Sequence, residues 1–101
     1  MILYIAGKMT GLPDLGRHKF ADVEERLKRR GHVVLNPCAV PVGLPKNRYL
    51  PICLAMIDAA DGVYMMDNWE TSPGARVELE YASYQGKEIL FEKEDVIHGD
   101  L

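Results

Sequence analysis

Ile2-Leu3-Tyr4-Ile5-Ala6-Gly7 is an unbroken apolar run of strand-forming residues closed by a glycine. A run with no polar alternation predicts a strand buried on both faces, which is how strands of a parallel sheet read when helices cover it. Working outward, residues 7–16 contain Gly7, Gly11, Gly16, Pro13 and Thr10, the composition of a loop. Residues 17–30 turn helical. Phe20, Val23 and Leu27 recur at helical spacing, and Glu24 with Lys28 and Glu25 with Arg29 form i,i+4 pairs on the wet side. Gly31 is a natural stop for this helix, and residues 32–35 predict a short second strand.

The pattern then repeats. Residues 36–46 carry Pro37, Pro41, Pro45 and Gly43 without any period, so they read as a long loop. A second helix follows with Pro51 in its first turn and an apolar stripe of Leu50, Cys53, Leu54, Ile57 and Ala60. Asp61-Gly62 ends it, and residues 63–66 predict a third strand. Residues 67–71 are a polar loop holding Trp69, the only tryptophan. Ser72-Pro73 has the form of N-cap and first residue of a third helix. That helix has Ala75, Leu79 and Ala82 on its core face and Gly86 at its end, before a fourth strand over 88–91. Residues 92–101 read as a polar C-terminal tail that frays, leaving residues 1–91 as the domain. The β-α-β-α-β-α-β order implies right-handed crossovers and a three-layer α/β sandwich, about four parallel strands with helices on both faces.

Composition narrows the function. A chain of 101 residues with 48% hydrophobic and 27% charged residues is one globular domain. The net charge of −3 and the absence of a basic stretch speak against a nucleic-acid partner. The densest basic run, Lys28-Arg29-Arg30, closes a helix, where the macrodipole favours cations. Cys38 and Cys53 form no CxxC and no histidine pair stands near them, so neither a disulfide framework, a metal site nor a cofactor is expected. The apolar N-terminus lacks a basic leader and no run approaches the ~20 residues needed to span a bilayer, so a soluble, cytoplasmic protein with no membrane contact is expected.

In an open parallel sheet, ligands sit beyond the carboxyl ends of the strands. That rule nominates residues 7–16, 36–46 and 67–78. Gly7, Lys8, Met9 and Thr10 follow the first strand directly; glycine there would let backbone N–H groups approach a ligand, although the run matches neither a Walker loop nor GxGxxG. Ser72 and Gly74 open a helix whose free N–H groups favour anions, and Glu78 lies about a turn and a half further in. The positive helix end would favour the ionised carboxylate, which suits a nucleophile or base. The same residues also read as a plain cap and a solvated helical carboxylate. Trp69 could stack on a base or plug the end of the core. Glu80, two residues from Glu78, faces another way. His18, His32 and His98 do not pair at metal spacing.

Tyr4-Ile5-Ala6-Gly7 at the end of a first strand, Ala60-Asp61 opening a third, and Ser72-x-Gly74-x-x-x-Glu78 entering a helix resemble the nucleoside 2-deoxyribosyltransferase-like superfamily. Within it, Ser72, Gly74 and Glu78 match the spacing of the deoxynucleoside 5′-monophosphate N-hydrolases. The overall pattern is similar to a branch of small uncharacterised phage and prophage proteins through Tyr4 to Gly11, Asn36-Pro37, Trp69, Gly74-Ala75, Ala82 and Gly86-Lys87. The resemblance implies a flavodoxin-like or Rossmann-like fold, a nucleotide-like ligand and a homodimer or larger homo-oligomer. It implies Glu78 as the nucleophile that attacks the anomeric carbon, Ser72 and Gly74 near a 5′-phosphate, and the Gly7 loop along sugar and base. One position departs from the pattern. The hydrolases carry an aspartate where this chain has Cys53, and Asp58, the nearest acid in that helix, is turned away by more than a quarter turn. Three functions stay open: an N-glycosidase or deoxyribosyltransferase, a non-catalytic protein binding a nucleotide or ADP-ribose derivative, and an interaction module using the 36–46 loop or the tail.

Overall fold

In a computed structural model, which describes residues 1–99, four parallel strands form one sheet in the order β2-β1-β3-β4. The strands are β1 (Ile2–Ala6), β2 (Val33–Leu35), β3 (Gly62–Met65) and β4 (Glu88–Phe91). The register pairs Ile2 with Val33, Leu3 with Gly62 and Gly62 with Glu88. Helices α1 (Arg17–Arg29), α2 (Lys46–Ala59), α3 (Pro73–Tyr84) and α4 (Glu92–Gly99) cover both faces. This is a flavodoxin-like α/β fold, and its strand order reverses between β1 and β3.

Strand alternation divides the core in two. Leu3 and Ile5 of β1 join Tyr64 and Met66 against Phe20, Val23 and Leu27 of α1. Tyr4 and Ala6 join Val63 and Met65 against Cys53 and Ile57 of α2 and Ala75 and Ala82 of α3. Each β1 side chain from Leu3 to Ala6 is fully buried, because helices lie on both sides of a central strand. Asp61 fastens the start of β3 to β1 twice: its carboxylate accepts the Ile2 N–H at 2.7 Å and its own N–H donates to the Ile2 carbonyl at 2.7 Å. Lys87 donates to the carbonyls of Asp58 and Ala60, satisfying the orphan acceptors at the end of α2.

Three elements differ from the sequence expectation. Helix α2 begins at Lys46, inside the stretch read as loop, so Pro51 is an internal residue rather than a first-turn one. The extra turn is closed by the Arg48 and Tyr49 N–H groups on the Pro45 carbonyl, and Tyr49 packs back over Pro37 and Met9. This packing offsets the single helical hydrogen bond that proline removes. The 36–46 stretch also holds a 3-10 turn at Pro37–Ala39, whose Cys38 N–H donates to the Asn36 side chain. Residues 92–99, read as a fraying tail, form α4. Its carboxylates at Glu92 and Asp95 are pinned by Lys19, Arg26, Arg30 and the Tyr64 hydroxyl, a long-range network that no local pattern announces. The last two residues of that tail lie outside the described residues. No described helix is long and apolar enough to cross a membrane.

Candidate functional site

Loops from the carboxyl ends of β1, β2 and β3 enclose one cavity of about 520 Å³. This is the size range of small-molecule sites, and its position at the reversal of strand order is where open α/β sheets bind ligands. The β1 loop contributes Gly7, Lys8, Met9 and Thr10, and further along Leu15 and Arg17. The β2 side contributes Pro37 and the apolar segment Val40-Pro41-Val42-Gly43-Leu44, with Lys46 and Tyr49 from α2. The β3 side contributes Thr71, Ser72, Gly74 and Glu78. All three nominated segments therefore meet at one place.

The loop after β1 is held by its neighbours. Asn68 accepts the Lys8 N–H at 3.0 Å, joining the ends of β1 and β3. A Cβ on Gly7 would lie 2.8 Å from the Met66 sulfur and 3.1 Å from the Asn68 carboxamide oxygen. Gly7 is thus required by the packing of β3 against β1, and it also lines the cavity. Leu15 holds a left-handed backbone at φ 57° on the cavity rim, a strained conformation for a branched side chain that costs on the order of 1 kcal/mol.

Ser72 caps α3 by accepting the Ala75 N–H at 3.2 Å, which is worth about 1 kcal/mol to the helix. Gly74 has open space on its Cβ side. One and a half turns in, Glu78 points inward and is only 6% exposed. Its Oε2 accepts the Tyr4 hydroxyl at 2.6 Å. The Cys53 thiol of α2 is near enough to the same carboxylate to favour its ionised form. Tyr4 comes from β1, so three elements converge on one carboxyl group.

Among the described residues no cation pairs with it. Burial pushes the Glu78 carboxyl up to about 7, and the hydrogen bonds from Tyr4 and Cys53 oppose that rise without cancelling it. Burial thus works against the ionised form that the helix end was expected to favour. Burial, and then the Glu78 charge, push the Tyr4 phenol well above its usual range. Burial likewise raises the Cys53 thiol. A hydrogen-bonded, half-titrated carboxylate at the floor of a cavity can act as a nucleophile or as a base.

Other candidates fall elsewhere. Trp69 lies in a 3-10 turn, does not line the cavity, and packs on Phe91 with ring centroids 5.9 Å apart. Glu80 is exposed. Asp58 accepts from Tyr81 and Gln85 on the outer surface between α2 and α3. Among the described residues no group of three or more His, Cys, Asp or Glu is placed to hold a metal ion. A second depression of about 420 Å³ lies between α1 and α4, lined by charged side chains that include the ion-paired Lys19, Arg26 and Glu92.

Two site residues were missed in the sequence. Tyr4 reads as one more strand former, yet it is the one side chain of β1 with a polar tip, and a buried tyrosine hydroxyl needs a partner. Tyr49 stood in the stretch read just ahead of a helix stripe; it lines the cavity and donates toward the Met9 sulfur at 3.1 Å.

This chain belongs to a family described as a domain of unknown function, DUF4406, whose model matches residues 1–91. No curated protein matches it. Among solved structures, a 2-desoxiribosyltransferase from Leishmania mexicana superposes with a TM-score of 0.73 over 89% of this chain at 26% identity. The chain spans 62% of that protein's length. A 2-deoxyribosyltransferase from the psychrotolerant bacterium Bacillus psychrosaccharolyticus shares the fold, with a TM-score of 0.71 over 90% of this chain and 71% of its own length at 22% identity.

Proposed function

We propose that this protein binds a nucleoside- or nucleotide-like molecule in the 520 Å³ cavity and cleaves or exchanges its N-glycosidic bond, with Glu78 as the nucleophile. The observation that carries the reading is the buried Glu78 carboxylate on the cavity floor, oriented by the Tyr4 hydroxyl at 2.6 Å. The likeness to solved 2-deoxyribosyltransferases supports it. In this reading a carboxylate oxygen of Glu78 attacks the anomeric carbon and the base departs. Water or a second base then displaces the glutamyl ester and regenerates the carboxylate. Tyr4 positions the carboxylate and stabilises its charge by a short hydrogen bond. Gly7, Lys8, Met9 and Thr10 would follow the sugar and base, and Ser72 and Gly74 would face the 5′ end. Incubation with mixed nucleosides, nucleotides and dinucleotides, read by mass spectrometry against Glu78→Ala, tests this. Free base released by the wild type alone is expected; release by both proteins would sink the role of Glu78.

A second reading has its own support. Cys53 stands where the resembling hydrolases carry an aspartate, and its raised thiol supplies no acid near neutral pH. A binding protein that holds its nucleotide unchanged needs no such acid. Calorimetric binding with intact ligand recovered afterwards would favour it.

A further inference from the structure

Among the described residues the cavity is lined by a single carboxylate, Glu78, and by no histidine. The acids that adjoin the lining in sequence, Asp14 and Glu70, do not line it: Asp14 accepts the Gly16 and His18 N–H groups, and Glu70 is exposed. Those further off are engaged elsewhere. Asp58 holds Tyr81 and Gln85, Asp61 holds the Ile2 N–H, and Asp67 pairs with Lys19 at 2.9 Å. Cys53 is fully buried and does not line the cavity. Yet a neutral purine or pyrimidine leaves a sugar as an anion unless an acid protonates it, and that help is worth about 10²–10⁴ in rate. If Glu78 attacks, it is ionised and cannot also carry the proton.

The charge of the walls adds a second constraint. Lys8, Arg17 and Lys46 line the same cavity, and none of them has a side-chain ion pair among the described residues. In a protein of net charge −3, three such cations around one cavity favour an anionic ligand.

We infer that the substrate is a phosphate-bearing N-glycoside whose base already carries a positive charge on its glycosidic nitrogen, that is, a pyridinium nucleotide. This rests on the glycosidase reading above. A Glu78 oxygen bonds to the anomeric carbon as the carbon–nitrogen bond breaks, and the bonding pair returns to the ring nitrogen. The base leaves as a neutral pyridine with no proton required. Water then attacks the anomeric carbon, loses its proton to solvent and frees the Glu78 carboxylate. The positive ring lies beside the one anion of the cavity, and the phosphate beside its cations.

The full chain is assayed with nicotinamide mononucleotide and with adenosine monophosphate, each at matched concentration, in wild type and Glu78→Ala. Base release is followed by chromatography. Turnover of the pyridinium nucleotide at least ~100-fold faster in kcat/KM, lost in Glu78→Ala, is expected. A series of substituted pyridinium mononucleotides should then slow steeply as the leaving pyridine becomes more basic, because no acid levels the series. Equal or faster cleavage of the neutral-base nucleotide overturns the pyridinium assignment and leaves the glycosidase reading standing. No cleavage of any substrate, with no glycosyl adduct on Glu78, overturns both.

Discussion

Glu78 and Glu92 are both buried, at 6% and 3% exposure, and they lie toward opposite faces of one sheet. Glu92 is surrounded by compensation. It pairs with Arg26 and with Lys19 at 3.5 Å, and it accepts the Asp67 N–H at 2.8 Å. Glu78 has a phenol and a thiol for company and no countercharge. The first arrangement ties α4 to α1 and to the end of β3. The second leaves a carboxyl group at about 7, open to a cavity of about 520 Å³. Burial alone therefore does not mark a functional acid. Burial without a countercharge, facing space that a ligand can fill, does.

The contrast breaks most visibly in activity. Glu78→Gln keeps the shape of the side chain and should lower turnover by at least about 10³-fold in a base-release assay, since no nucleophile remains. Glu92→Gln should leave kcat within a few fold. An inactive Glu92→Gln that is still folded by circular dichroism would erase the distinction.

Stability should move the other way. The folded-state value of Glu78 lies above that of the unfolded chain, near 4.5. The protonated form is therefore favoured by folding, and its contribution is complete below about pH 4.5 and lost as pH rises through about 7. Urea titrations of wild type against Glu78→Gln should converge at pH 4 and separate by pH 8. The glutamine variant should then be the more stable by up to about 3 kcal/mol. Equal stability at both pH values would mean that Glu78 is not held out of water. Next in size, Glu92→Gln should cost about 2 kcal/mol at pH 7, because its partly exposed cations lose only part of a buried pairing.

The smallest effect concerns the donor. Tyr4→Phe removes the hydroxyl that favours the ionised carboxylate, so the pH limb of activity should move upward, with about 1 kcal/mol lost in folding stability. An unshifted limb would show that Tyr4 does not tune Glu78.

Much of the scaffold was legible because local chemistry wrote it. The Ile2 to Ala6 run, the Ser72-Pro73 start and the Phe20, Val23, Leu27 spacing each name an element without help from the rest of the chain. Helix α4 was not legible, since Glu92 and Asp95 are held by partners 25 to 73 residues away. The start of α2 was hidden by Pro45 and Pro51, whose breaker signals are overridden by the packing of Tyr49. At the site, topology gathered the three strand-end segments, but orientation stayed out of reach. Spacing could not say that Trp69 turns to Phe91, nor that the Tyr4 hydroxyl ends on Glu78. Nor could it show how far burial raises the Glu78 carboxyl.

The Tyr4–Glu78 hydrogen bond closes a loop of 74 residues. Contacts of such sequence separation form late, because chain entropy opposes them until shorter-range pairings are in place. An incompletely folded chain therefore holds Glu78 in water as an ordinary surface acid, with no aligned phenol and no enclosed space beside it. The environment that sets this carboxylate apart is therefore made by the assembled fold and is absent from any segment of the chain taken by itself.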